Sequence, residues 1–190
     1  LSYIKLFGAM NVEGSKNALV LFSGGLDSTT SLAIAKSEGY NITALTINYK
    51  QRHDYEIIAS KKILANYSDI NHIIFDIDLT KIGGSALTDT NLEVPRKESD
   101  GIPITYVPAR NTIFLSIAAS YAEKLKIKDI YIGVNAIDYS GYPDCRPDFI
   151  ASFEKMINLG TKSGSQGSLF KIITPLISKT KSEIIKIGTE

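Results

Sequence analysis

Cysteine is almost absent from this 190-residue chain, where Cys145 is the only one. A single thiol excludes an internal disulfide and any cysteine-cluster zinc site built from this sequence alone. It also fits a reducing compartment, so a cytoplasmic location is expected. Charge of one sign is missing as well: 21 basic residues face 20 acidic ones, for a net charge of +1. Nothing in that balance marks a nucleic-acid footprint. No apolar run approaches the roughly 18 residues a membrane-spanning helix needs, and no membrane association is expected. The opening ten residues lack the long apolar core of a secretory signal. Two common phosphate-binding signatures are absent. No lysine follows the early glycines as a Walker loop requires, and the G-x-G-x-x-G dinucleotide fingerprint does not occur. There is no internal repeat and no low-complexity segment.

What is present centres on one stretch, from Ala18 to Thr30. An apolar run, Ala18–Phe22, stops at Ser23-Gly24-Gly25. A helix-like pattern then begins, with Asp27, Ser28 and Thr29 in its first turn and Leu32 and Ile34 among its apolar positions. The pattern predicts a buried strand, a tight glycine turn and a helix N-terminus. The first N–H groups of a helix have no partner inside it, and the macrodipole makes that end positive. Glycines let an anion approach those groups. The expected product is an anion cradle, and phosphate is the usual anion.

Downstream, strands are predicted at Ile42–Asn48, His72–Leu79, Asp129–Val134 and Leu169–Ile173. Helices are predicted at Asp27–Gly39, Asp54–Tyr67, Thr112–Leu125, Asp148–Leu159 and from Lys181 to Ile187. Residues 1–17 read as an N-terminal extension and 18–190 as one domain, with 44% hydrophobic content and chain enough for a substantial core. Alternating strands and helices predict an α/β fold, a Rossmann-like doubly wound parallel sheet with helices on both faces. Ligands of such sheets bind beyond the carboxyl ends of the strands. The polar, unusual residues fall there: Ser23-Gly24-Gly25, Tyr49 to His53, and Asn135 to Arg146. Thr80–Thr105, broken by glycines and prolines, is the length of loop that is usually functional or disordered. Thr161–Ser168 reads as a Gly/Ser loop.

Several segments carry candidate chemistry. Tyr49-Lys50-Gln51-Arg52-His53 suits contact with a base, a phosphate or a carboxylate, or is a solvated helix entrance. Arg110 and Asn111 open a helix after Pro108. An arginine there opposes the dipole, which a bound anion or a neighbouring acid would explain. Asp138-Tyr139-Ser140-Gly141-Tyr142-Pro143-Asp144-Cys145-Arg146 combines rings that stack on bases with carboxylates that accept N–H donors, or is a structured loop with Asp caps. Cys145 has no general base beside it in sequence and reads as a buried thiol. Lys181, at another helix start, could reach phosphates or lie on the surface.

The S-G-G-x-D-S pattern, Ser23 to Ser28, resembles the pyrophosphate loop of N-type ATP pyrophosphatases, whose fold is that of the adenine nucleotide alpha hydrolases. Together with Val107-Pro108-Ala109-Arg110-Asn111 and the run from Gly133 through Pro147, it makes the chain, from about Ala18 to Gly188, similar to the 7-cyano-7-deazaguanine synthase family of queuosine biosynthesis. The resemblance implies a C–N-bond-forming ligase. ATP and ammonia would convert 7-carboxy-7-deazaguanine to 7-cyano-7-deazaguanine (preQ0) through an adenylated carboxylate and an amide, with Mg²⁺ on the phosphates. It implies ATP binding by Phe22, Ser23, Gly24, Gly25, Leu26, Asp27, Ser28, Thr29, Thr30, Ser31 and Leu32. It implies catalytic roles for Asp27, Arg110 and Lys181, and substrate binding by Tyr49, Gln51, Arg52, Arg110, Asn111, Asp138, Tyr139, Tyr142, Asp144 and Arg146. The partners implied are small molecules, with no nucleic acid and no membrane, and a homodimer is the family-level expectation.

The chain departs from the family in two places. Lys50 stands where the family usually has glycine, a change expected to alter the loop's backbone. The family's zinc-binding cysteine cluster falls after Glu190, so the sequence reads as C-terminally truncated relative to the family, as a fragment or as a shortened homologue. Zn²⁺ is expected from the family, but no residue here is assigned to hold a metal. The alternatives are an adenylating enzyme that modifies tRNA and a non-catalytic nucleotide-binding homologue.

Overall fold

The computed structural model describes residues 16–51, 55–89, 102–137 and 141–189. The first strand, β1 (Asn17–Leu21), passes through the turn to α1 (Leu26–Ser37). There follow β2 (Asn41–Asn48), α2 (Tyr55–Leu64), β3 (Asn71–Asp76), α3 (Arg110–Leu125) and β4 (Asp129–Ile132). A single 3₁₀ turn at Pro143–Cys145 leads into α4 (Pro147–Gly160), a one-turn α5 (Lys162–Ser165), β5 (Lys171–Ile173) and α6 (Lys181–Thr189).

All five strands are parallel, in the order β3-β2-β1-β4-β5. The chain winds outward from β1 to β3, returns to the other side of β1 as β4, and winds outward again. That reversal is the topological switch point of a doubly wound sheet, and it lies between β1 and β4. The register places Leu21 beside both Leu45 of β2 and Ile132 of β4, so β1 and β4 end level while β2 runs on to Asn48.

The continuous apolar run of β1 follows from its central place, since a strand covered on both faces has no polar side to show. Alternate residues turn to opposite faces. Ala18, Val20 and Phe22 join Ala44, Tyr131 and, from α1, Leu32 and Ala35. Leu19 and Leu21 join Leu45, Ile130 and Ile132 under Leu115, Ala118 and Ala122 of α3 and Phe153 and Ile157 of α4. The small alanines let α3 lie close to the sheet.

The predicted elements all occur, with ends moved by a few residues. The Gly/Ser segment 161–168 differs in kind: it holds α5, capped where Gly164 N–H donates to Thr161 Oγ1 (3.1 Å). A Ser and a Gly there pass as loop because a one-turn helix has no periodicity to reveal it. The described parts of the 80–105 stretch are not loose. Ser85 and Ala86 are fully buried, and Ala86 N–H donates to Ile104 C=O (3.0 Å), closing the segment on itself.

The C-terminus of α3 is a Schellman motif. Ile127 N–H reaches back to Ala122 C=O (2.9 Å) and Lys126 N–H to Glu123 C=O (3.2 Å). Lys126 takes the left-handed conformation this requires, at φ 59°. A lysine there carries a steric cost that glycine does not. Lys126→Gly is therefore expected to stabilise the protein by about 0.5–1 kcal/mol and to raise Tm by roughly 2–4 °C in a thermal melt.

Candidate active site

The cradle forms as the glycine turn predicts. Gly25 precedes α1 in extended conformation with no side-chain hydrogen bond capping the helix, and the first backbone bond within it runs from Thr29 N–H to Gly25 C=O (3.0 Å). The N–H groups of Leu26, Asp27 and Ser28 therefore lie before the helix's own bonding begins. Two serines brace the turn. Ser23 N–H donates to Ser28 Oγ (3.2 Å), Gly25 N–H donates to Ser23 Oγ (3.3 Å), and the Ser28 hydroxyl donates to Gly25 C=O (3.1 Å). Gly24 sits at φ +80°, and a Cβ there would meet Ser60 N of α2 at 2.6 Å. Glycine is required at that position both for its conformation and for the contact. Beneath the turn, the Thr46 hydroxyl donates to Phe22 C=O (2.7 Å), and His72 Nε2 lies 2.8 Å from the same oxygen of Thr46.

A cavity of about 410 Å³ opens at the switch point, lined by residues from β1, β2, β4, α1, α2, α3, α6 and the loops that follow the strands. One wall is the cradle: Phe22, Ser23, Gly25, Leu26, Asp27 and Ser28. Lys181, the first residue of α6, spans to it, with Nζ 3.0 and 3.2 Å from the two carboxylate oxygens of Asp27. Lysine opposes the dipole of its own helix. A capping box offsets that cost: the Glu183 carboxylate accepts from Thr180 N–H (2.7 Å), and Glu183 N–H donates to Thr180 Oγ1 (3.3 Å). Those bonds from Thr180 hold Glu183 below the usual carboxylate range.

A second part of the lining, its wall of rings, carries Tyr49, Glu56, Arg110, Asn111, Phe114, Tyr142 and Cys145, with Tyr49 packed on Phe114 at 5.4 Å between ring centroids and Glu56 and Tyr49 both in the field of Arg110. Burial works against the charge of Arg110, but Tyr49, Asp144 and Tyr142 together hold its pKa above the ordinary value. Its guanidinium also lies over the Tyr142 ring, 5.8 Å from the centroid. The arginine at the start of α3 is thus explained by its neighbours. Tyr49 is buried, which raises its pKa, and its hydroxyl donates to Gln51 Oε1. Glu56, in the first turn of α2, is the residue the sequence reading missed. Burial pushes its carboxyl above the ordinary range, against the pull of Arg110 and a hydrogen bond with Gln51. An acid in a helix's first turn is so common as a partner of the dipole that its sequence position carries no signal of a site.

Other expected site residues are placed differently. The Asp144 carboxylate is buried behind the wall, where it accepts from Asn111 N–H at the start of α3 (3.0 Å). Asn111 Nδ2 donates to Asp144 C=O (3.2 Å) and Cys145 Sγ (3.3 Å). Arg146 is exposed at the start of α4 and does not line the cavity. Gly24, Thr29, Thr30, Ser31 and Leu32 support the cradle from behind: Leu32 is core, and the Thr30 hydroxyl donates to Leu26 C=O (3.0 Å). The expectations placed on Arg52, Asp138 and Tyr139 fall outside the described residues. Lys50 takes a left-handed conformation, φ 57°, with Nζ 3.4 Å from Asp78 Oδ2. The conformation is one that glycine favours, and the lysine adopts it.

Comparison with known proteins decides the family. Residues 17–190 match the model described as "Queuosine biosynthesis protein QueC". The chain belongs to this family. It is 55% identical over 173 residues to the 7-cyano-7-deazaguanine synthase of Cellvibrio japonicus, an alignment covering 91% of this chain and 77% of that protein. To the enzyme of the same name from Saccharophagus degradans it is 53% identical over 174 residues, covering 92% of this chain and 77% of the relative. Among solved structures, a 4-thiouridine synthetase in complex with RNA and bound ATP superposes with a TM-score of 0.57 at 22% identity. That match covers 92% of this chain and 40% of the other, and it shows a shared fold.

The site can be tested against the groups the family implies. An uncapped helix N-terminus, a glycine approach and two hydroxyls fit a polyphosphate. Asp27 is a single carboxylate beside that cradle, the sparse protein contribution that Mg²⁺ on phosphates needs. Zinc does not fit: among the described residues no cluster of three or more His, Cys, Asp or Glu exists, and Cys145 is the chain's one cysteine. No helix among the described residues is long and apolar enough to cross a membrane.

The burial of Glu56 gives a stability prediction. Its folded pKa is raised, so its ionised form is penalised only in the folded state. That penalty is absent below the unfolded value, about 4.3, and complete above the folded one. Glu56→Gln is expected to raise Tm at neutral pH and to lose that advantage as pH falls toward 4, in melts of both proteins across that range.

Proposed function

We propose that this chain makes 7-cyano-7-deazaguanine from 7-carboxy-7-deazaguanine and ammonia at the expense of ATP. The supporting observation is one cavity lined by a phosphate cradle with its Lys181–Asp27 pair and by aromatic rings and an arginine. Identity above 50% to proteins bearing the synthase name supports the same reading.

The chemistry sets the order of events. A carboxylate is a poor electrophile, because its carbon is electron-rich and oxide is a poor leaving group. Attack of a carboxylate oxygen on the α-phosphorus of ATP forms an acyl-adenylate and releases pyrophosphate. Ammonia adds to the acyl carbon, AMP departs, and one proton is lost to give the amide. A second ATP takes up the amide oxygen with release of pyrophosphate, and loss of AMP and of both amide protons leaves the nitrile. The residues serve these steps by position and charge. The N–H groups of Leu26, Asp27 and Ser28 and the hydroxyls of Ser23 and Ser28 face the departing pyrophosphate. Lys181 supplies positive charge on the same side, exchanging Asp27 for phosphate oxygens. Mg²⁺ bound with ATP would add charge neutralisation, with Asp27 as its protein ligand. Arg110 holds the far side of the cavity positive, and Tyr49, Phe114 and Tyr142 provide surfaces for a planar ring. The homodimer and the cytoplasmic setting belong to this reading as family-level expectations.

Incubation of the chain with 7-carboxy-7-deazaguanine, ATP, Mg²⁺ and ammonium, followed by mass spectrometry, tests it. The nitrile is expected, preceded by an amide that further ATP converts to nitrile. Nucleotide binding without turnover would identify a binding protein instead. Lys181→Ala is expected to lower kcat about 10²–10³-fold in a pyrophosphate-release assay, the scale of losing one charge-stabilising group.

A further inference from the structure

The cavity contains two carboxylates among the described residues, and their neighbours differ. Asp27 is engaged by Lys181 beside the cradle. Glu56 lies in the field of Arg110 and Tyr49, and the Arg110 guanidinium lies over the Tyr142 ring. Asp144, the other described acid near that wall, has its carboxylate turned to the start of α3 and does not line the cavity. The acceptor capacity of the ring-lined wall is therefore concentrated at Glu56.

Its setting is that of a positioned acceptor. The Gln51 side chain favours the charge on Glu56. Gln51 is in turn held by the buried Tyr49, whose hydroxyl donates to Gln51 Oε1 in the field of Arg110. A carboxylate has about four lone-pair sites, and the amide of Gln51 fills at most two, so capacity is left toward the cavity. An acid half-buried among Tyr49, Phe114 and Tyr142 with partial compensation is costly for the empty protein. A ligand that brings its own N–H donors removes the cost.

We propose that Glu56 is the specificity-determining residue that receives the amino-pyrimidinone edge of the substrate's heterocycle, its two oxygens accepting from the ring N–H and the exocyclic amine. The assignment rests on the proposed function and adds to it. The reacting carboxylate must lie at the cradle, where the α-phosphorus is. The exocyclic amine is on the opposite, six-membered ring of the same molecule, so it projects toward the ring-lined wall. Two parallel N–H donors match two carboxylate oxygens in a planar, bidentate contact. A site built to bind such donors rejects an analogue lacking one, because its own acceptor is then left buried and unsatisfied.

The test compares the full chain with its Glu56→Gln variant on 7-carboxy-7-deazaguanine and on the analogue without the exocyclic amine. The wild-type protein is expected to prefer the amine-bearing substrate. Glu56→Gln is expected to raise KM for it about ten- to hundredfold, to change KM for ATP by less than about twofold, and to shrink the preference. An unchanged KM and preference would overturn the assignment. So would a rise confined to KM for ATP, which would place the carboxylate against adenine, or an equal loss on both substrates, which would mark a structural role. Calorimetric titration of the two bases, without turnover, reads the same preference. If wild-type protein binds with that preference but makes no nitrile, the proposed reaction fails and Glu56 keeps its role.

Discussion

The site depends on how closely backbone approaches backbone at the end of β1. Gly133, directly after β4, lies so near α1 that a Cβ there would stand 2.8 Å from the Asp27 carbonyl and 3.0 Å from Ser28 N. Gly24 makes an equally close contact with α2 on the other side. The helix N-terminus is therefore clamped between two neighbours at van der Waals distance, and its N–H groups point where the strands end. Any side chain at either glycine would push the cradle off the switch point. The braces from Ser23, Ser28 and Thr46 then fix a geometry that the glycines permit. A rigid arrangement of this kind needs no rearrangement to stabilise charge on a departing group.

Around that clamp the cavity divides by chemistry. The cradle side offers N–H groups, hydroxyls and a lysine, all suited to negative oxygens. The rest of the lining offers rings, an arginine and a half-buried acid, suited to a flat polar heterocycle. The cost of keeping Arg110 and Glu56 away from water falls on the ligand-free protein. Burial of polar groups ahead of binding is how a site trades stability for selectivity.

Much of this was legible in the sequence, and for definite reasons. The strand–turn–helix at Ser23–Ser28 is local: an apolar run, two glycines and a capping pattern report it without reference to the rest of the chain. The parallel sheet follows from alternation of elements, and the positions of polar loops after strands follow from the sheet. Pairings across long separations were not legible. Asp144 reads as a free acceptor until Asn111, 33 residues earlier, is seen to take its carboxylate. The support that Tyr49 and Tyr142 give Arg110 is likewise remote in sequence. Glu56 was passed over because its position mimics an ordinary helix start. Lys50 shows the converse: a lysine holds a left-handed backbone conformation, φ 57°, that its residue type does not announce.

Asp27 and Lys181 are separated by 154 positions, yet they complete one wall of one cavity. The cradle belongs to the first strand and helix; its counter-charge arrives with the last helix, which packs on α1 where Gly188 faces Thr30. During synthesis the phosphate-binding turn therefore emerges long before the residue that balances it. The charge balance of the cradle thus waits for α6, and a chain cut before that helix would carry the turn without its lysine.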